Sequence, residues 1–254
     1  MWDRRAVVAA STAWTSSWHP DGSRHLVENG HEMYLIDREA TLLGYHGAIA
    51  DPAAVLEEAE RIALANGART LRITVGIGTF GALDAAALNR RGATTVAVID
   101  VLAAEITAAA IAAIPVPPTA VTHRVRTEDE LAEYAATARR AWGFTPPALA
   151  DPDFVLDRPA ARLFTVRVGG DPAGSAGYEL AADVARLWGA AVVPDHRGSG
   201  AYRSLIAARM ADAAGLGATL ALVHAEQTSS PILRRLGFAE YAHRRLTAIG
   251  LTGR

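Results

Sequence analysis

The 254-residue chain contains no cysteine and no lysine. Without cysteine it can form no disulfide, no thiolate metal site and no thiol nucleophile. Without lysine every basic side chain other than histidine is arginine. That bias matches codon use in a GC-rich genome, as does the abundance of alanine. Neither sign of charge is in excess: 25 basic and 27 acidic side chains leave a net charge of −2. There is thus no electrostatic footprint for nucleic acid or for an anionic membrane surface. No apolar run approaches the length of a membrane span. The opening MWDRRAVVAASTAW is too short and too polar-flanked in its apolar part to read as a signal peptide, so a cytoplasmic location is expected. Half the residues are hydrophobic, ordinary for a globular protein long enough for one large domain or two modest ones.

The most informative stretch is Val192–Met210, VVPDHRGSGAYRSLIAARM. A β-branched strand end runs into a turn, Arg197-Gly198-Ser199-Gly200, and then into an amphipathic helix. A turn of this kind presents free backbone N–H groups at the positive end of a helix dipole, and glycine lets the main chain approach a ligand closely. Those are the requirements of a phosphate or pyrophosphate seat.

Organisation along the chain shows a pattern used twice. Ile114-Pro-Val-Pro-Pro-Thr119 excludes helix and predicts an extended linker. Before it, Asp51 and Pro52 predict the cap and first position of a helix through Ala65. A strand Thr70–Val75, a helix Ala82–Arg90 and a strand Thr94–Leu102 follow. After the linker, a helix from about Tyr202 to Gly215, a strand Thr219–Ala225, a short helix Pro231–Leu236 and a last strand repeat that layout. Gly67-Ala68 matches Gly217-Ala218, and Arg91-Gly92 matches Leu236-Gly237. The second half also predicts a strand Val121–Arg126 and a helix to Arg140 opened by a Thr127/Glu130 capping box. A hairpin of Arg162–Val168 and Ala173–Leu180 and a strand Ala185–Val193 complete it. Four prolines, 146, 147, 152 and 159, break up the segment before the hairpin. The expected class is α/β with a mixed α+β sheet, divided as 1–114, a linker 115–120, and 121–254.

The glycine turn resembles the pyrophosphate loop of the GNAT (N-acetyltransferase) superfamily, [QR]-x-x-G-x-[GA]. Arg197, Gly200 and Tyr202 occupy its slots, and Tyr202 departs from the last. Element order over residues 120–248 resembles the family as well, and Thr228–Phe238, ending Leu-Gly-Phe, resembles its second signature. The resemblance implies two tandem GNAT-like domains. The N-terminal one would be degenerate, lacking an Arg-Gly-x-Gly counterpart. It implies acetyl-CoA as acyl donor, a small-molecule amine as acceptor and no metal; a homodimer is allowed. Main-chain groups of Arg197, Gly198, Ser199, Gly200, Ala201 and Tyr202 would hold the pyrophosphate. Val192 and Val193 would meet the pantetheine arm, and Ser229 and Arg234, with Arg235, would flank the CoA.

The family's usual chemistry is incomplete here. Aligning Gly237-Phe238 puts Leu233 where many relatives carry a proton-donating tyrosine, and Trp188–Val192 has no carboxylate where many keep a base. His224 and Glu226 stand two apart on one strand face and are the candidate base, with Tyr202 as candidate acid. Tyr241 and Glu179 are weaker candidates. Ser230 before Pro231 reads as a helix N-cap. Two other readings stay open. One is an acyl-CoA-binding module without catalysis. The other is a dinucleotide enzyme built on Gly76-x-Gly78-x-x-Gly81, which follows a strand and precedes an acid, Asp100. Trp2, Trp14 and Trp18 read as core or interface. His19, His25 and His31 lack the pairing and carboxylates of a zinc site.

Overall fold

The computed structural model describes residues 2–14, 19–20, 22–48, 51–77, 80, 83, 85–143 and 161–251. The prolines at 146, 147, 152 and 159, and Trp18, Gly78 and Gly81, lie outside these residues. Two compact units are present. One comprises Val8–Val101, Ala225–Gln227 and Tyr241–Arg254; the other comprises Met1–Val7, Leu102–His224 and Thr228–Glu240.

The first unit holds most of helix α1 (Arg4–Thr12), then strands β1 (Arg24–Glu28), β2 (His31–Ile36) and β3 (Glu39–Tyr45). Helix α2 (Pro52–Ala65), β4 (Thr70–Val75), α3 (Ala85–Arg90) and the start of β5 (Thr94–Glu105) follow. β1, β2 and β3 form an antiparallel meander, and β4 runs parallel to β3. The other edge of β4 takes an antiparallel strand from far along the chain, β11 (Ala239–Gly250), with Val75 opposite Arg245 and Thr70 opposite Gly250. Alternation in β4 is clean: Leu71, Ile73 and Val75 are buried against Leu56, Ala59, Ile62 and Ala63 of α2. The meander was not read from the sequence. It brings Glu32 between His25 and His46, at 3.0 and 2.8 Å, a carboxylate that linear spacing did not reveal.

The second unit contains α4 (Ala108–Ala112), β6 (Ala120–Arg124), α5 (Glu128–Trp142), β7 (Ala161–Val168), β8 (Asp171–Ala181) and β9 (Val184–Val192). Helix α6 (Ala201–Ala214), β10 (Leu220–Glu226) and α7 (Ser230–Arg235) complete it. β6 to β9 are antiparallel neighbours in order, β10 runs parallel to β9, and the end of β5 lies beside β10. Thr127 and Glu130 form the expected capping box of α5, and Gly143 closes that helix at φ 83°. Gly174 of β8 faces α6, where an added Cβ would lie 3.4 Å from Leu205. Tyr178 shares that face and its hydroxyl meets Asp212. Gly177 faces the other way, beneath the indole of Trp188, which packs with Leu131 and Tyr134 of α5. The sheet therefore lies between α5 and α6.

The repeat foreseen in the sequence is present in hydrogen-bond detail. Gly67 and Ala68 donate to Leu64 and Ala63, and Gly217 and Ala218 donate to Ala214 and Ala213, each at 3.0 Å. Both glycines are left-handed, at φ 88° and 87°. Gly92 and Ala93 close α3 as Gly237 and Phe238 close α7, by bonds reaching back three and five residues. β3 meets β4 over three residue pairs, and β9 meets β10 over three.

Candidate active site

The candidate site lies where β9 leaves β10. Their pairing covers Val184–Arg186 and Leu220–Leu222, yet β9 continues to Val192 and β10 to Glu226. Beyond Arg186 the two strands splay. On its other side β9 stays paired with β8 through a bulge: Ser175 faces Ala191, and Gly177 faces Trp188, so Gly189 and Ala190 share one partner position. Gly189 takes φ 61°, the left-handed conformation that such a bulge asks of glycine. The Val193 amide donates to Ala173 at 2.9 Å and is committed to β8. Strand alternation then turns the Val192 amide toward the edge that β10 has left.

The glycine turn follows directly. A 3₁₀ turn at Pro194–His196 leads into Gly198 at φ 83° and Gly200 at φ 91°, and α6 begins at Ala201 with no side-chain cap. A Cβ on Gly200 would lie 2.4 Å from Pro117 Cγ in the proline linker, so glycine is required there by contact as well as by torsion. Gly198 faces open space. Not every amide of the turn is free. Arg197 N donates to Pro194 O at 3.1 Å, Ser199 N to His196 O at 3.3 Å, and Ala201 N reaches Ser199 Oγ at 3.4 Å. The amides of Gly198, Gly200, Tyr202 and Arg203 have no protein acceptor among the described residues. They form a tighter donor set than the whole run 197–202 expected from the sequence.

Tyr202 stands in the first turn of α6 and its hydroxyl is hydrogen-bonded to that of Ser229. Burial raises the phenol pKa, against the lowering influence of Arg209 and of Ser229, so the group is protonated at neutral pH. Ser229, not Ser230, is the N-cap of α7, and its hydroxyl caps nothing. Ser230 is instead the first helical residue, buried, and accepts from Arg234 Nε at 3.2 Å. Arg234 is also ion-paired with Glu240. Leu233 is fully buried and belongs to the core. His224 is partly buried and Glu226 exposed near the end of β10, two residues apart as expected. Glu179 is held by Arg186 at 3.2 Å.

Sequence reasoning missed Arg209. It lies two turns along α6 from Tyr202, on the same stripe, and is 1% exposed. Its Nη1 donates to Gly177 O at 2.9 Å and Trp188 O at 3.2 Å, its Nε to Leu205 O at 3.0 Å. Its sequence signal was an arginine on the apolar face of a helix otherwise lined by Leu, Ile, Ala and Met.

The acetyltransferase (GNAT) family matches residues 127–238, the segment that contains the bulge, the splay and the glycine turn. This segment is a GNAT domain. Solved structures agree on the fold. A GCN5-related N-acetyltransferase from Kribbella flavida is 22% identical, with 91% of this chain and 90% of that one covered at a TM-score of 0.60. A tandem GNAT protein from the clavulanic acid biosynthesis pathway is 15% identical, covering 98% and 89% at 0.65. A GCN5-related N-acetyltransferase from Sphaerobacter thermophilus is 15% identical, covering 88% and 78% at 0.59. No curated protein matches the chain. GNAT proteins use acetyl-CoA as cosubstrate, and the mixed sheet expected from element order is the one found. The Gly76 loop has a structural explanation within this fold. A Cβ at Gly76, where φ is 108°, would meet His243 O of β11 at 2.7 Å, and Asp100 is bonded to the His243 ring at 2.9 Å.

Proposed function

We propose that the protein transfers the acetyl group of acetyl-CoA to the amine of a small molecule, in the cytoplasm, using the GNAT domain alone for the cofactor. One contrast carries this reading. Helices α2 and α6 occupy matching positions in the repeat, but their N-termini are chemically opposite. The Asp51 carboxylate caps α2, accepting from Ala53 N at 2.8 Å, which fills the donor site and adds a negative charge. Helix α6 starts on Gly200 with amides unclaimed and the dipole unopposed. A pyrophosphate is repelled at the first and welcomed at the second, which supports a degenerate N-terminal half.

In this reading the amides of Gly198, Gly200, Tyr202 and Arg203 take the pyrophosphate, and the Val192 edge takes the pantetheine arm in the splay. The amine nitrogen attacks the thioester carbonyl carbon; a C–N bond forms as the C–S bond breaks. The proton on nitrogen passes to His224, directly or through water, with Glu226 on the same strand face. The departing thiolate takes a proton from Tyr202, which replaces the one Leu233 cannot supply. Orientation and backbone donors at the carbonyl provide most of the rate. A role in natural-product tailoring or resistance fits a small-molecule acceptor.

Calorimetry with Gly200→Ala tests the site. The strained torsion and the collision with Pro117 should weaken acetyl-CoA binding at least about 30-fold, roughly 2 kcal/mol. Unchanged affinity would remove the glycine turn from the site. Leu233 and the carboxylate-free Trp188–Val192 also favour a second reading, a module that binds acyl-CoA without turnover. It would be stabilised thermally by acetyl-CoA yet release no thiol with a panel of amines. Stabilisation by NADH or NADPH in place of acetyl-CoA would contradict both.

A further inference from the structure

Arg209 is a buried cation with no carboxylate. No acidic side chain pairs with it among the described residues, and burial pulls its guanidinium down to about 10, still charged at neutral pH. An isolated buried charge is costly, and hydrogen bonds to neutral carbonyls compensate it only in part. The fold itself does not require a cation at this place. Matching Gly67 to Gly217 aligns Arg209 with Ala59, fully buried in α2 and packed in the apolar core of its unit. The arginine is therefore a feature of the GNAT domain and not of the architecture shared by the two halves.

What it touches indicates its use. Gly177 and Trp188 face each other at one end of the β8–β9 bulge, and Nη1 of Arg209 binds both of their carbonyl oxygens. These carbonyls flank the bulge in the β8–β9 ladder, and the guanidinium gives both a charged donor from α6. The peptide plane matters more. The Trp188 carbonyl and the Gly189 amide belong to one planar trans unit and point in opposite directions, so holding the carbonyl fixes the amide. Gly189 has the left-handed torsion, little steric restraint of its own, and stands just past the last β9–β10 pair. Nearby, the fully buried Tyr134 hydroxyl has no hydrogen-bond partner among the described residues, and a Cβ on Gly189 would lie 3.9 Å from it.

We propose that Arg209 is a positioning residue for acyl transfer, clamping the Trp188–Gly189 peptide from α6 so that the bulged edge of β9 meets the thioester in one fixed orientation. The inference rests on the acyl-CoA reading of the site. It assigns Arg209 no contact with substrate and no proton transfer. Its effect is on geometry at the reacting carbonyl, two helical turns from the glycine turn that holds the pyrophosphate.

Arg209→Met and Arg209→Lys test it, with acetyl-CoA as the probe. Affinity is read by calorimetry, and turnover as free-thiol release with water and with a panel of small primary amines. Hydrogen exchange is read at residues 186–192. A misplaced reacting edge should lower kcat on the order of 100-fold in the Met variant and about tenfold in Lys, with acetyl-CoA affinity and KM within about threefold of wild type. Exchange at Gly189–Ala191 should quicken in the Lys variant while α6 is unchanged. Wild-type kcat in either variant, or a parallel loss of affinity and kcat, would overturn the clamp. If the Met variant fails to fold, the Lys variant decides on the same readouts, and unaltered exchange at 189–191 rejects the proposal without any turnover measurement. Wild-type protein that gives no heat with acetyl-CoA defeats the functional reading itself, a result distinct from a normal wild type with an inert Arg209.

Discussion

Tyr202 and Ser229 share a hydrogen bond between the first turn of one helix and the cap of another. Burial keeps the phenol protonated at neutrality, the state a proton donor needs. Tyr202→Phe should slow thiol release on the order of 10–100-fold while leaving acetyl-CoA affinity near normal, since in the proposed reading Tyr202 would meet the pyrophosphate only through its amide. Loss of affinity with retained turnover would exclude it as the acid. His224→Gln is expected to lower turnover in the same way and to abolish the acidic limb of the pH–rate profile; an unaltered limb would place the base elsewhere. Residues governed by local rules were legible in the sequence. Gly200 shows in the turn, and Thr127 with Glu130 shows as a capping box. Arg209 and the Ser229 hydroxyl were not, because their partners lie 21 to 32 and 27 residues away and depend on strand register and helix docking.

At the scale of elements, one helix was read to the residue, while the start of α7 was read one residue late. Asp51 caps α2 and the helix runs Pro52–Ala65, as the sequence predicts. The β1–β3 meander and α1 went unread, since their alternation is short and interrupted by polar residues. Strand β5 runs to Glu105, three residues beyond the predicted Leu102. Its end lies beside β10, a neighbour that no local pattern specifies. Gly76 illustrates the difference between motif and cause. Its sequence context suggests a nucleotide loop, whereas its torsion and the His243 carbonyl at 2.7 Å account for it by packing. Gly76→Ala should therefore destabilise the protein by about 1–3 kcal/mol in urea titration. A stable variant would return the loop to consideration as a ligand site.

Most of the buried ionisable groups lie in the GNAT unit, while burial also lowers the pKa of Arg244 in the first unit. Burial raises the pKa of Tyr134, Tyr178 and Tyr202, with Asp212 adding to the rise at Tyr178. A phenol whose pKa is higher folded than unfolded contributes stability that is complete below its unfolded value, about 10, and lost as pH climbs through the folded one. Arg209 acts with the opposite sign, because its folded pKa is depressed and its burden is relieved on deprotonation. Arg244 acts in the same sense as Arg209, and three phenols against two guanidiniums leave a net loss. The melting temperature should hold to about pH 9.5 and then fall, with tyrosinate absorbance rising at unfolding and not before; an early rise would mean that the phenols are not shielded. Unit membership predicts the behaviour of fragments. Residues 8–101 expressed alone lack Tyr241–Gly250, the partner along the open edge of β4, and should associate or remain only partly folded in light scattering and circular dichroism. A well-behaved monomer would show that the strand is dispensable.

That strand sets a timetable for synthesis. Val75 emerges from the ribosome 170 residues before its partner Arg245. At about 5–20 residues per second, the wait is roughly 9–34 s. During that interval nascent β4 has one uncovered side, while everything needed for the GNAT unit's sheet is translated before the missing strand arrives. The later-encoded module can thus finish first, and the earlier one closes last, when its own final strand arrives.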